Sequence, residues 1–172
     1  MTGRLFVKNS ILLFLLIVVG CQTTAQENEC SKYPKPIGHV NDFEAVLTSE
    51  EISQLETYLR EYEGISTVEL AIVTTKSFEP DTSLFDYSLN LANCWGVGKA
   101  SDNNGVLIAI SMKQRAVRIQ LGTGLEDVFT DEEAQVVVDE YLIPHFKKGL
   151  VYKGIRVSLS EIFKQLLPLQ DE

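Results

Sequence analysis

Side chains that carry oxygen ligands are concentrated in two short segments of this chain. The candidates are Asp102, Asn103, Asn104, Glu126, Asp127 and Asp131. Carboxylate and amide oxygens are the ligands that hard cations such as Ca²⁺ prefer. The alternating spacing and distal glutamate of an EF-hand loop are absent, so a site here would need both segments. The pattern predicts a divalent-metal site, with Ca²⁺ as the first candidate ion and Mg²⁺ as the second.

The same residues also have a purely structural interpretation. Asn and Asp adopt the left-handed backbone conformation more readily than most residues, so positions 102–104 could serve only as a turn. Asp131 lies in the first turn of a predicted helix, where an acidic side chain interacts favourably with the helix dipole. Residue type alone leaves both interpretations open.

The sequence between the two oxygen-rich segments predicts that these segments lie close together in the fold. Residues 105–112 form a continuous apolar run, which is typical of a central strand, and residues 116–121 alternate apolar and polar side chains. A tight turn near Lys113 would make these two strands an antiparallel hairpin. The start of the first strand then lies beside the end of the second. We therefore expect one pocket at the end of the sheet, lined by both oxygen-rich segments.

Several other chemistries are excluded by the sequence. Gly122-Thr123-Gly124 follows a strand, but the third glycine of a dinucleotide fingerprint is missing and Glu126 would repel a pyrophosphate. No His-Glu-x-x-His, Cys-x-x-Cys or Gly-x-Ser-x-Gly motif occurs. Cys94 is not followed by the basic cradle of a cysteine phosphatase. Any hydrolysis would therefore depend on carboxylates and a metal ion.

The remaining periodicity predicts an α/β fold. Two capping boxes, Thr48 with Glu51 and Thr130 with Glu133, begin helices. Gly64 and Pro144 are the expected helix stops. Further elements are a buried strand over residues 68–75, a helix over residues 82–95 and a last helix from residue 155 to 166. Together they predict a three-layer α/β/α sandwich, whose mixed central sheet has about four strands and contains one β-hairpin.

The N-terminal region predicts export. Residues 1–21 combine a basic start with an apolar run, and Val18-Val19-Gly20-Cys21 resembles a bacterial lipobox in which Cys21 is lipidated. Thr23-Thr24-Ala25 is an alternative cleavage site for ordinary secretion. We assign residues 22–39 to a flexible linker, 40–168 to the folded domain and 169–172 to a tail. The protein is then a periplasmic-side lipoprotein or a secreted protein.

Cysteine content and charge limit the interactions of this domain. Cys30 and Cys94 form an even pair suited to an oxidising compartment, and the alternative is one free cysteine on the arm and one in the core. The formal charge is −9, and loss of Arg4 and Lys8 with the leader makes it about −11. Nucleic acid is therefore disfavoured as a partner.

The chain resembles the TPM domain family. The similar segments, in order, are Val40-Asn-Asp42, Leu47-Thr-Ser-Glu-Glu51, Val68-Glu-Leu-Ala-Ile-Val73, Trp95-Gly-Val-Gly98, Asn104-Gly-Val-Leu-Ile108, Arg118-Ile-Gln-Leu-Gly-Thr-Gly-Leu-Glu126, Thr130-Asp-Glu-Glu-Ala134 and Ile143-Pro-His-Phe-Lys147. The resemblance implies an α/β/α sandwich that binds a divalent metal in a cleft beside the hairpin. By this resemblance, the residues expected to line that cleft are Asp102, Asn103, Asn104, Glu126 and Asp131, with Asp127 beside them.

The family is functionally mixed, and it includes a plant thylakoid-lumen acid phosphatase and photosystem II repair factors. Because the two oxygen-rich segments come without a recognisable nucleophile or base, we expect a non-enzymatic or accessory metal-binding role at the cell envelope, with a membrane protein as a candidate partner. The alternative is a metal-assisted acid phosphatase acting on phosphomonoesters. Because many relatives carry a C-terminal membrane helix and this sequence does not, we expect a stand-alone monomer that touches the membrane only through Cys21.

Overall fold

The structure is a computed structural model that describes residues 29–167. The predicted leader, its lipobox cysteine Cys21 and the tail at 169–172 lie outside the described residues. The chain divides into a short N-terminal unit ending at Pro34 and a main unit beginning at Lys35. Within the first unit, the backbone N–H of Lys32 donates to the carbonyl of Glu29. Cys30 and Cys94 are both in the disulfide-bonded state.

The main unit is built on a four-stranded mixed sheet in the order β1-β2-β3-β4. Its strands are β1 (Val40–Asp42), β2 (Glu69–Thr74), β3 (Gly105–Ser111) and β4 (Ala116–Leu121). The first three strands are parallel, and β4 pairs with β3 as an antiparallel hairpin. The predicted fold class is confirmed, and β4 has the predicted bounds. Strand β3 is buried along its whole length, as its unbroken apolar run predicts.

Helices cover both faces of the sheet. They are α1 (Ser49–Ser66), α2 (Leu84–Trp95), α3 (Asp131–Val137), α4 (Ile143–Phe146) and α5 (Val151–Leu166). Val106, Ile108 and Ile110 of β3 belong to the larger core, which also contains apolar residues of α1, α3 and α5. Helix α2 packs on the opposite face, against β3 and β4. Of helices α1–α5, α2 alone packs against that face, so these five helices cover the sheet unequally.

Helix α1 begins as predicted and ends later than predicted. The Thr48 side chain accepts from the Glu51 N–H, and the Glu51 carboxylate accepts from the Thr48 N–H at 2.8 Å. The expectation that Gly64 stops the helix is wrong, because α1 continues to Ser66. Thr67 ends it in the left-handed conformation, with φ of 62°. Burial of Leu55, Leu59 and Tyr62 outweighs the ~1 kcal/mol that one exposed helical glycine costs.

Pro144 likewise does not end the helical path. A π-helical segment, Val138–Leu142, joins α3 to α4, and Pro144 lies in the first turn of α4. The wider turn fits the proline, which cannot donate a backbone hydrogen bond. Gly154 of α5 then allows close approach, since a Cβ there would press on His145 and Phe146. No helix in residues 29–167 is long and apolar enough to cross a bilayer.

Candidate functional site

The hairpin brings the two oxygen-rich segments together at one end of the sheet. Val106 pairs with Leu121, so the residues before β3 lie beside the residues after β4. The backbone N–H of Gly122 donates to the carbonyl of Gly105 at 2.8 Å. The N–H of Gly124 donates to the carbonyl of Asn103 at 3.1 Å. We call residues 101–105 and 122–127 the loop pair.

Glycines allow the loop pair to pack backbone against backbone. A Cβ on Gly122 would collide with the carbonyl oxygen of Asn103, and a Cβ on Gly124 would collide with that of Asp102. Gly105 meets the carbonyl of Val97 in the same way. These positions tolerate no side chain without a backbone shift. The sequence therefore brings peptide oxygens of residues 102 and 103 against the second loop.

The second loop is held by two buried side chains. Leu125 and Phe129 belong to the core, and the N–H groups of Leu125 and Phe129 complete turns with the carbonyls of Gly122 and Leu125 at 3.0 and 2.8 Å. Glu126 and Asp127 lie between these anchors and are exposed. Their carboxylates therefore project from a fixed loop rather than from a free tail.

In the first loop, Asp102 and Asn103 are exposed and Asn104 is buried. Asn103 adopts the left-handed conformation, with φ of 47°. The N–H groups of Asp102 and Asn103 both donate to the carbonyl of Lys99, at 2.9 and 2.8 Å. This turn leaves the side chains of Asp102 and Asn103 facing solvent beside the second loop's glycines.

The buried Asn104 amide links two other backbone segments. Its Oδ1 accepts from the N–H of Lys99 at 2.8 Å, and its Nδ2 donates to the carbonyl of Thr67 at 2.9 Å. Both ends of the amide are therefore used to join the loop to the residue that follows α1. This arrangement holds the loop in place. The sequence predicts Asn104 as a metal ligand or as part of a simple turn, and it gives no sign of this linking role.

Asp131 is placed beside a cation. Its Oδ2 lies 3.5 Å from a terminal nitrogen of Arg118, whose guanidinium also stacks 4.3 Å over the Phe85 ring. The Asp131 side chain is 59% exposed, so solvent weakens this ion pair. Sequence reasoning did not identify Arg118. Its signal was the alternation along β4, which puts Arg118 and Gln120 on the wetter face.

The carboxylates do not form a dense cluster. Within residues 29–167, no group of three or more His, Cys, Asp or Glu side chains lies close enough together to hold a metal ion. Asp102, Glu126 and Asp127, the carboxylates of the loop pair, therefore do not form such a group. A cation bound here would need amide and peptide oxygens in addition to carboxylates, which Ca²⁺ accepts.

A cleft opens between α2 and the hairpin, beside the loop pair. Its volume is about 200 Å³, and residues of the loop pair that line it are Asn103, Gly105, Gly122 and Thr123. The remaining wall consists of neutral side chains of α2, β3, β4 and Val97, including Leu89 and Gln120. The cleft is therefore neutral, with acidic side chains only outside its wall.

The four-stranded mixed sheet, with a glycine-packed loop pair and a cleft at the end of its hairpin, defines an α/β domain. The sequence matches the TPM domain over residues 40–165, most of its length, so this protein belongs to the TPM domain family. The predicted resemblance is confirmed. No curated protein matches the chain.

Solved structures support the same assignment. The N-terminal domain of a protein from P. gingivalis is 32% identical, with a TM-score of 0.67 over 74% of this chain and 81% of that one. The BA42 protein of the psychrophile Bizionia argentinensis is 21% identical, with a TM-score of 0.63 over 72% and 83%. The N-terminal domain of cg2496 from Corynebacterium glutamicum is 15% identical, with a TM-score of 0.59 over 78% and 84%. The last two are similar to this chain in fold.

Proposed function

We propose that this domain is a binding module for a divalent cation of the Ca²⁺ class and that the loop pair holds the ion. The observation that carries the proposal is the backbone contact between Gly124 and Asn103, which joins the two oxygen-rich segments. Fixed peptide oxygens and exposed carboxylates then lie within the same small region. Hard cations favour such mixed oxygen sets.

The proposed ligands are the side chains of Asp102, Asn103, Glu126 and Asp127, together with peptide oxygens of the first loop. Asn104 stays outside this set because both ends of its amide already bind backbone groups. Asp131 is left out of the set because it lies outside the loop pair and its Oδ2 is paired with Arg118. The proposed ligand set is therefore narrower than the one that residue types predict.

Sparse carboxylates favour weak binding. Ca²⁺ affinity rises with ligand charge and site rigidity, and extracellular modules have dissociation constants of about 10⁻⁴ to 10⁻³ M. A site with few, separated carboxylates belongs in that range. Such an affinity is typical of extracellular modules and therefore suits an exported domain. With a lipid on Cys21, the domain would act at the cell envelope, where it would assist a membrane protein.

The surroundings of the two histidines support an accessory role over an enzymatic one. His39 lies between carboxylate oxygens of Glu56 and Glu63, at 3.1 and 3.2 Å. The Nδ1 of His145 is 2.7 Å from the carbonyl of Tyr141. Both imidazoles are thus engaged in structural contacts, and neither lines the cleft beside the loop pair.

The test is a titration of the chelator-treated protein with CaCl₂ and MgCl₂, followed by amide NMR. We expect saturable shifts at residues 102–105 and 122–127 at millimolar Ca²⁺, and smaller shifts with Mg²⁺, which requires stricter octahedral geometry. Asp102→Asn and Asp127→Asn should each weaken binding. Glu132→Gln is the matched control, because Glu132 is an exposed acid outside the loop pair. Absence of shifts at the loop pair would refute the proposal.

The same preparation distinguishes a hydrolytic role. If the module were a metal-assisted acid phosphatase, it would release phosphate from p-nitrophenyl phosphate, and both chelation and Asp102→Asn would abolish the release. We expect no steady turnover. Turnover that meets both conditions would contradict the accessory role and leave metal binding in place.

A further inference from the structure

A second, larger cavity lies at the opposite end of the hairpin. Its volume is about 600 Å³, within the usual range for small-ligand sites. Among residues 29–167, those that line it are Met112, Arg115, Ile143, Phe146 and Lys147. We call this cavity the basic pocket. The β3–β4 turn supplies two of these residues, and α4 with the residue after it supplies the other three.

The lining of the basic pocket is opposite in charge to the rest of the protein. The whole chain has a formal charge of −9, and residues 119–142 contain seven acidic residues and no Lys or Arg. Residues 112–118 contain three Lys or Arg and no acid, and residues 143–156 contain four and no acid. The pocket is built from these two basic segments, so an anion is attracted to it rather than to the neighbouring surface.

The two lining cations are available for a ligand. The ion pairs within residues 29–167 do not involve Arg115 or Lys147. Glu44 approaches the β3–β4 turn and contacts its backbone. Its carboxylate accepts from the backbone N–H groups of Met112 and Lys113, at 2.8 and 3.1 Å. Glu44 therefore fixes the turn while the side chains of Arg115 and Lys147 remain exposed.

Arg115 occupies a backbone position that favours glycine. Its φ is 55°, and its N–H closes the turn to the carbonyl of Met112 at 3.3 Å. A non-glycine residue in this conformation costs on the order of 1 kcal/mol. The chain thus carries a guanidinium at the pocket edge where a glycine would give a more relaxed turn.

The other described residues of the wall are apolar. Met112, Ile143 and Phe146 are partly buried and pack against the main core. Gly154 brings α5 close to Phe146. The pocket therefore combines a rigid apolar surface with two cations at its edge.

We propose that the basic pocket binds a small amphipathic anion, with a phosphate or carboxylate head and a short apolar body. The head would lie between Arg115 and Lys147, and the body against the apolar wall. Arg offers paired donors to such heads, and Lys adds a point charge. A lipid headgroup region and a free metabolite could both present this chemistry.

The test uses n-octyl phosphate below its micelle concentration, with amide NMR of the full chain as the readout. We expect saturable shifts at residues 112–115 and 143–147. Inorganic phosphate lacks the tail and n-octyl glucoside lacks the charge, so each should bind at least tenfold more weakly. Equal binding of the glucoside would overturn the proposal, as would absence of shifts at these residues.

Substitutions distinguish the contribution of the two cations to binding from any contribution to folding stability. Arg115→Gln and Lys147→Gln should each weaken octyl phosphate binding about tenfold, as expected when one charged hydrogen-bond partner is lost. Lys153→Gln is the control, because Lys153 is exposed and does not line the pocket. Arg115→Gly should weaken binding without lowering the melting temperature. Unchanged affinity in the Arg115→Gln, Lys147→Gln double variant would contradict the proposal.

Vesicles distinguish the source of the anion. Cosedimentation with phosphatidylglycerol vesicles but not phosphatidylcholine vesicles, lost in the double variant, would identify a lipid headgroup. Octyl phosphate binding without vesicle binding would identify a free ligand. Because the basic pocket and the loop pair lie at opposite ends of the hairpin, Asp102→Asn should leave octyl phosphate binding unchanged.

Discussion

The N–H of Gly124 donates to the carbonyl of Asn103 at 3.1 Å, across the open end of the β3–β4 hairpin. This bond joins segments that are twenty-one positions apart in the chain. It exists only because Gly124 has no side chain, since a Cβ there would collide with the carbonyl of Asp102. The geometry of the proposed cation site therefore depends on the absence of a side chain at Gly124, as it does at Gly122.

Gly124→Ala should disturb both the fold and the site. The added Cβ must push the two loops apart, and overpacking of this kind costs about 1–3 kcal/mol. We expect a lower urea midpoint together with weaker Ca²⁺ binding. The matched control is Gly64→Ala in α1, where nothing lies within 4 Å of the new Cβ. That change should stabilise the protein by ~0.5–1 kcal/mol, because alanine is the better helix former.

Asn104→Ala should lower the free energy of unfolding more than a substitution at the neighbouring Asn103 does. The change removes the two hydrogen bonds that the buried Asn104 amide makes to the backbone of Lys99 and Thr67, and each such bond contributes about 0.5–1.5 kcal/mol. Asn103→Gly is the matched control, since Asn103 is exposed and left-handed. It should keep the melting temperature and weaken Ca²⁺ binding slightly. Equal melting temperatures for the two variants would contradict the assigned roles.

Tyr62 makes the fold sensitive to alkaline pH. Burial, which includes stacking on Phe163 with ring centroids 3.4 Å apart, raises the pKa of Tyr62 to about 12. In the unfolded chain this phenol ionises near pH 10, about two units lower. Between these values the folded state holds the extra proton, so stability falls as pH rises, by up to ~1.4 kcal/mol per pH unit.

Tyr62→Phe should therefore flatten the alkaline decline in the free energy of unfolding between pH 10 and 12. Urea unfolding of both proteins across this range measures the difference. The same comparison at pH 7, where the phenol is neutral in both states, is the control. A decline of equal steepness in the two proteins would show that other groups cause it.

Local signals predicted most of the fold. The capping boxes at Thr48 and Thr130 both form, because the partners are three residues apart. The hairpin was predicted from a continuous apolar strand, a short turn and a second strand of alternating apolar and polar residues. The helix stops at Gly64 and Pro144 were wrong, because tertiary packing carries α1 past its glycine and a π-helical segment admits the proline.

Long-range contacts limited prediction of the site. The meeting of the two loops followed from antiparallel pairing, and it is present. The binding of Asn104 to Thr67, thirty-seven residues away, has no local signature. The approach of Arg118 to Asp131 depends on how β4 and α3 pack. The basic pocket was not predicted, since its cations come from segments that look like ordinary solvated surface.

The most direct test of the central claim is a crystal structure of the chain grown with millimolar CaCl₂. We predict one Ca²⁺ ion at the loop pair, bound at about 2.3–2.6 Å by oxygens from both residues 101–105 and residues 122–127. Binding of Ca²⁺ only at other positions, or a loop pair that holds water alone at saturating Ca²⁺, would contradict the account.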